Sequence, residues 1–169
     1  MTLVGNMPRF FVDSVSGNTI SIRGNDAYHI GRSLRMRIGD IITVCADRVE
    51  YRAKILSISD KEVVCDVLSA EKSENEPTVN VVLYQALPKS DKMDLIVQKA
   101  VELGADEIRP FVGRNTVAEA DFKKIERFNR IAKEASKQCG RAFVTEVKEA
   151  VRLRELPRFF GDFDLVLLC

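Results

Sequence analysis

The residues 84–111, YQALPKSDKMDLIVQKAVELGADEIRPF, bring together the side chains best placed to do chemistry. An apolar run stops at Pro88, and Lys89, Ser90, Asp91, Lys92 and Asp94 follow before a helical pattern sets in. A lysine and a serine at a helix start can bind an anion. The loop has none of the glycines of a phosphate-cradling loop, however. Ser90 as a helix cap, with Asp91 and Asp94 opposing the helix dipole, accounts for the same residues without a ligand. His29 is the single histidine, and it can be a general base or a structural imidazole. Its place in a strand-rich segment favours the structural role. No cysteine has an activating neighbour except Cys139, which lies near Lys137 and Arg141. The helical period also explains Cys139, as a small inward-facing residue. Four cysteines without CxxC spacing and one histidine make a zinc site improbable, and no metal is expected.

Basic residues carry the second signal. Arg32, Arg35 and Arg37 have no acid between Asp26 and Asp40. Lys123, Lys124, Arg127, Arg130, Lys133, Lys137 and Arg141 stand against only Glu126 and Glu134. The chain as a whole has a net charge of +1, so any affinity for nucleic acid must come from such local patches. A solvated helix face explains a charge run equally well, and both readings stay open.

Two kinds of element position these groups. The chain has 169 residues, 46% hydrophobic and 30% charged, enough for one medium domain or two small ones with a core. From Phe10 to about Ala70, short pieces rich in β-branched residues alternate with turn formers, predicting a small antiparallel barrel. Asn25 or Asp26 caps a short helix there, with Ala27, Ile30 and Leu34 on one face. Residues 69–78, SAEKSENEPT, read as a linker. VNVVLYQAL then reads as a doubly covered strand, followed by a helix with Met93, Ile96, Val97, Ala100 and Leu103 inward and Gly104 ending it. EIRPFV is the next strand. A long helix over residues 121–139 points Phe122, Ile125, Ala132, Ala135 and Cys139 inward. FVTEV, a helical piece near VRLREL and a last strand FDLVLLC complete an α/β alternation. Ligands of such sheets sit beyond the carboxyl ends of the strands, where LPKSDK lies. No apolar run approaches the roughly 20 residues that span a bilayer. Widely spaced cysteines without a signal peptide suggest a reducing cytoplasm.

The segments MPRFFV, H…RSLRMRIGDIITV, QALPKSDKMDLIVQKAVELGADEIRPF and R…IAKEASKQCGR resemble the bacterial ribosomal RNA small-subunit methyltransferase E family, in order and over nearly the whole chain. Members methylate N3 of one uridine in 16S rRNA. The resemblance implies an α+β two-domain protein. Residues 1–72 would be a PUA-like β-barrel that binds RNA. Residues 78–169 would be the first part of a SPOUT-type α/β domain, whose trefoil-knot segment is absent. S-adenosyl-L-methionine (SAM) is the implied cofactor. The 16S rRNA of the small ribosomal subunit is the implied partner, and the full-length protein is implied to be a homodimer away from membranes.

Site residues follow from the same resemblance. Lys89, Lys92, Asp94, Gln98 and Lys99 match the family pattern around the loop, with Ser90 where a glycine is common. Arg9, Arg32 and Arg35 match basic barrel positions. Together with Arg37, Lys123 and Arg127 from the basic patches, Arg9, Arg32, Arg35, Lys89 and Lys92 are the expected RNA-binding residues. Arg114 and Arg141 are the expected catalytic arginines, stabilising the uracil anion as N3 loses its proton, with Gln138 orienting. Phosphate binding is the alternative role for these arginines. No residue is assigned as general base. The family's glycine-rich GPEGG-type loop and its LG-x-R-I-L-R segment would follow Cys169. The cofactor-binding residues are therefore expected mostly beyond that point, and the chain is expected to be an inactive fragment. A non-catalytic RNA-binding module is the alternative function.

Overall fold

The computed structural model describes residues 7–89, 91–113 and 121–168. The chain divides into two units. One is Met1–Glu76 with Lys137–Val144; the other is Pro77–Ser136 with Thr145–Cys169. The contiguous ranges expected from the sequence differ from this division in the segment Lys137–Val144.

In the first unit, β1 (Arg9–Phe11), β2 (Thr19–Arg23), β3 (Ile41–Ala46), β4 (Val49–Ile58) and β5 (Glu62–Lys72) form one sheet in the order β1-β3-β4-β5-β2. The sheet is not purely antiparallel as expected, because β1 runs parallel to β3. Alternation sets the inner face: Ile20 and Ile22 of β2 are buried while Thr19, Ser21 and Arg23 are exposed. Asp47 and Arg48, at φ 49° and 64°, make the two-residue turn between β3 and β4, as the right-handed twist of a hairpin requires. Register shifts at Arg52/Ala53 and Ile55/Ser57 bend β4 against β5. The core joins Phe10, Ile42, Val44, Ile55 and Val63 to Ala27 and Ile30 from the interruption after β2.

That interruption is α1 (Asn25–Tyr28), capped by the backbone of Gly24 with no side-chain cap, so neither Asn25 nor Asp26 plays the expected part. A wider π-type turn, His29–Ser33, continues it. The Leu34 amide donates to the His29 carbonyl at 2.9 Å, five residues back. This extra residue per turn rotates Leu34 out to 40% exposure, and Met36 packs on the core instead. The linker is shorter than expected. Residues 69–72 continue β5, with Ser69 opposite Arg52 and Lys72 opposite Val49.

In the second unit, β6 (Val82–Ala86), β7 (Glu107–Val112), β8 (Glu146–Val147) and β9 (Val151–Arg152) are parallel, with β8 and β9 both on β7. Helices α2 (Lys92–Glu102) and α3 (Phe122–Cys139) cover one face, where Met93, Val97, Ala100 and Val101 meet Phe128, Ala132, Ala135, Ile108 and Val147. Asn129 ties α3 to β8 by donating to the Val147 carbonyl at 2.9 Å and accepting its amide at 2.8 Å. Phe122 and Cys139, expected inward, are exposed. An 18-residue helix is about 27 Å long and overruns strands of five or six residues. Leu103, also expected inward, is the C-cap of α2 and is exposed.

The tail departs most from expectation. VRLREL supplies β9 and then a 3₁₀ segment, Leu153–Asp162. FDLVLLC is not a strand over residues 163–168, because none of it finds a ladder partner among the described residues. Phe159 and Phe163 instead pack on Tyr84 of β6, with ring centres 6.1 Å away in both cases. No helix among the described residues is long and apolar enough to cross a membrane.

Candidate nucleic-acid interface

Parallel pairing brings three chain segments to one end of the second unit's sheet. Ala86 lies opposite Phe111, and Val112 lies opposite Arg152. The Leu87 amide donates to the Phe111 carbonyl at 2.9 Å, extending the ladder to the last turn before the charged loop. Lys89 and the α2 start with Lys92 therefore share this carboxyl end with Gly113 and Arg152 to Arg154. A cleft of about 610 Å³ opens there, lined by Val112, Gly113, Arg152, Leu153 and Arg154.

Not every residue matched around the loop belongs to that end. Asp94 holds Arg127 of α3 by a short ion pair. Gln98 donates to Glu102 at 2.9 Å, and Lys99 pairs with it at 2.6 Å, on the outer face of α2. Asp91 occupies the N-cap position without a side-chain capping bond, and Ser90 lies outside the described residues. Among the described residues, no group of three or more His, Cys, Asp or Glu could hold a metal ion.

The expected catalytic trio is not assembled by the described residues. Arg114 lies outside them, and Gln138 is exposed in the last turn of α3. Arg141 belongs to the first unit and its side chain is only 3% exposed. Its Nε and Nη2 donate to Glu76 Oε2 at 3.2 and 2.7 Å. The other Glu76 oxygen accepts the Ala142 amide at 2.8 Å, and Arg48 approaches the carboxylate at 3.6 Å. The Phe143 ring lies under Arg48 and Arg141, at 4.7 and 5.8 Å. This guanidinium is committed to a buried carboxylate inside residues that read as linker.

Arg9 is held in the same way. It donates to Glu50 Oε2 at 3.0 Å, to Cys45 Sγ at 3.1 Å and to the Arg141 carbonyl at 3.3 Å. Ser73 donates to the second Glu50 oxygen at 2.6 Å. Burial pushes the Cys45 thiol up to about 11 despite Arg9, which makes it a poor nucleophile. Burial alone would raise the Glu50 carboxyl, but the hydrogen bonds from Arg9 and Ser73 outweigh it and hold it below its usual value. A depressed carboxylate contributes stability above its unfolded value of about 4.3, and that contribution disappears as pH falls through the folded value. Glu50→Gln is therefore expected to be less stable than the parent at pH 7 and to converge towards it in acid. Urea unfolding across that range measures it; parallel curves would refute the assignment.

The remaining expected RNA-binding residues are at the surface. Arg32 grips both Asp60 oxygens, at 3.0 and 3.1 Å, while Arg35 and Arg37 are exposed in the segment after the π-type turn. Lys123 and Arg130 are exposed on α3, whereas Lys137 pairs with Asp26 at 3.2 Å. Sequence reasoning missed Arg152, Arg154 and Arg158. Three arginines in seven residues were a visible signal, obscured by reading VRLREL only for its helical pattern.

A family model described as an RNA methyltransferase domain matches residues 74–169, and one described as an RNA methyltransferase PUA domain matches residues 22–68. The chain is 34% identical over 168 residues to Ribosomal RNA small subunit methyltransferase E of Bacillus subtilis, covering 94% of this chain and 66% of that protein. Its namesake from Aquifex aeolicus is 30% identical over 150 residues, covering 87% and 65%. A crystal structure of the Neisseria gonorrhoeae protein of that name, bound to S-adenosyl methionine, aligns with a TM-score of 0.80 at 27% identity, covering 89% of this chain and 64% of that one. The chain thus spans just under two thirds of the length of these relatives.

Proposed function

Because this chain belongs to the RNA methyltransferase family, we propose that the protein transfers a methyl group from SAM to N3 of a uridine in the 16S rRNA of the small ribosomal subunit. The observation that carries this reading is the methyltransferase-domain match over residues 74–169, joined to a PUA-domain match over residues 22–68. Two relatives named for small-subunit rRNA methylation, at 34% and 30% identity, support the substrate. The neighbour crystallised with SAM supports the cofactor. SAM supplies an activated methyl on a sulfonium, so no metal is required for the transfer. The chain's own part is to hold RNA phosphates and to stabilise the uracil anion with cationic donors. Homodimeric assembly and a cytoplasmic site of action belong to this proposal.

In the first unit, Arg32, Arg35 and Arg37 are the groups assigned to RNA phosphates; in the second, Lys89, Lys92, Lys123 and Arg127. Arg9 and Arg141 act by shaping the fold around them, since Arg9 is held by the half-buried Glu50 and Arg141 by the buried Glu76. Arg114 and Gln138 keep their proposed roles at the uracil.

Deleting the gene tests the function directly. Nucleoside mass spectrometry of small-subunit RNA is expected to lose one N3-methyluridine, restored by the intact gene. An unchanged nucleoside profile would overturn the assignment. For the chain itself, Arg32→Glu with Arg35→Glu is expected to weaken RNA binding about equally for unrelated sequences. It should also lower the salt slope by about 0.7 to 0.9 for each phosphate no longer neutralised. Unchanged affinity and slope would make these arginines ordinary surface.

A further inference from the structure

The cleft at the carboxyl end of the second unit's sheet has one feature that packing does not explain. Seven of the fourteen arginines among the described residues are held in ion pairs: Arg9 to Glu50, Arg23 to Glu62, Arg32 to Asp60, Arg48 and Arg141 to Glu76, Arg109 to Glu107 and Arg127 to Asp94. Arg152 and Arg154, both exposed, have no ion-pair partner among the described residues, although Glu155 is next to Arg154 in the chain. The Glu155 carboxylate turns to the backbone, accepting the Arg152 amide at 3.0 Å. Nearby acid thus secures the start of the 3₁₀ segment, where the Arg152 side chain also meets the Glu155 backbone, and it forms no ion pair with either guanidinium.

The geometry around them is particular. Arg152 is the last residue of β9 and lies in register with Val112. Leu153 and Arg154 follow at the start of the 3₁₀ segment. The two arginines therefore flank Leu153 in the chain, and all three line the cleft together with Val112 and Gly113. At about 610 Å³, the cleft falls within the range of small-ligand sites. Its lining combines the apolar Val112 and Leu153, a glycine without a side chain and two fork-shaped cations. Such cations recognise phosphate, and apolar walls accept the face of a planar ring.

We propose that this cleft receives one unstacked nucleotide of single-stranded RNA, with Arg152 and Arg154 holding its flanking phosphates. The inference rests on the RNA-methyltransferase reading and extends it to residues that the comparisons do not assign. Methylation of N3 needs the Watson–Crick edge of a uracil exposed, so the substrate nucleotide has to leave its stack and pairing. A site that combines an apolar slot with phosphate clamps selects strands in which this is already done. A duplex offers the same phosphates but no free base to the slot.

The test uses the chain with a fluorescent oligouridylate and, separately, an RNA duplex. The combined substitution Arg152→Gln and Arg154→Gln is expected to weaken oligouridylate binding roughly tenfold at low salt, and to lower the salt slope by about 0.7 for each phosphate no longer neutralised. Arg152→Lys with Arg154→Lys keeps the slope and loses only part of the affinity, because a point charge remains but the fork is gone. Leu153→Ala should weaken oligouridylate binding with the slope unchanged. Duplex binding should move by less than twofold in all three variants. These side chains are exposed, so an unchanged thermal midpoint serves as the control for folding. Equal losses on oligouridylate and duplex would overturn the slot. Unchanged oligouridylate binding in the Gln variant, while the Arg32 and Arg35 reversals still weaken it, would overturn this site and leave the RNA reading standing. A chain that binds neither RNA would overturn both.

Discussion

Glu76→Ala is expected to destabilise the chain by about 3–5 kcal/mol, the cost typical of removing one partner from a buried ion pair. The two side chains are 4% and 3% exposed, so water cannot take over when the carboxylate is gone. Arg141 would keep its charge, because a guanidinium does not deprotonate in a protein. The Ala142 amide would lose its acceptor, and Arg48 would lose the carboxylate it approaches. Pairing explains the loss only if the charge itself matters. Glu76→Gln, which keeps the shape and an acceptor oxygen, should therefore still be costly. Glu76→Gln combined with Arg141→Met should recover most of the stability. Denaturant unfolding of the three variants decides it. A loss under about 1 kcal/mol for Glu76→Ala would mean that the pair is solvated in solution.

Gly104→Ala is expected to cost about 2–5 kcal/mol, from two causes that add. The first is backbone conformation. Gly104 sits at φ 94°, where a side chain is strained, and it closes α2 in a Schellman turn. Its amide donates to the Val101 carbonyl at 3.0 Å, and the Ala105 amide donates to that of Ala100 at 2.9 Å. The second cause is space. A Cβ at this position would lie 2.7 Å from Cγ of Pro77, a ring that cannot rotate away. Left-handed backbone costs a non-glycine residue about 1–2 kcal/mol, and overpacking typically adds about 1–3. Calorimetric unfolding measures the total, and hydrogen exchange at the Ala105 amide reports whether the turn has opened. A change within about 0.5 kcal/mol of the parent would refute both contributions.

These two sites differ in how far they could be read in advance. ELGAD announces a helix stop, because glycine alone tolerates the conformation that the turn needs, and a local rule requires only local residues. Glu76 gave no such sign. SAEKSENEPT has the composition of a linker, yet Ser73 and Glu76 are the buried donor and acceptor that fasten the groups around Arg9, Arg48 and Arg141. Composition reports how polar a segment is. It does not report whether a distant cation will meet it, as Arg141 does from 65 residues away. The catalytic expectation for Arg141 came from a matching position in a family pattern. A buried structural arginine and a reactive one leave the same letter in a sequence.

By itself the sequence determined the strand-rich first part, the α/β second part, the end of α2 at Gly104, the buried period of α2 and the middle of α3, and the family. All of these follow from short-range periodicity, turn chemistry or an ordered set of motifs. Only the tertiary structure decided which charges pair within the chain. It committed Arg32, Arg127 and Arg141 to carboxylates that lie 28, 33 and 65 residues away in the chain, and it left Arg152 and Arg154 without ion-pair partners among the described residues, beside a cleft. It also decided that FDLVLLC makes no strand among the described residues and that Leu34 turns outward. A ladder needs a neighbour and a helical face needs an unbroken period, and both depend on what the rest of the chain brings alongside.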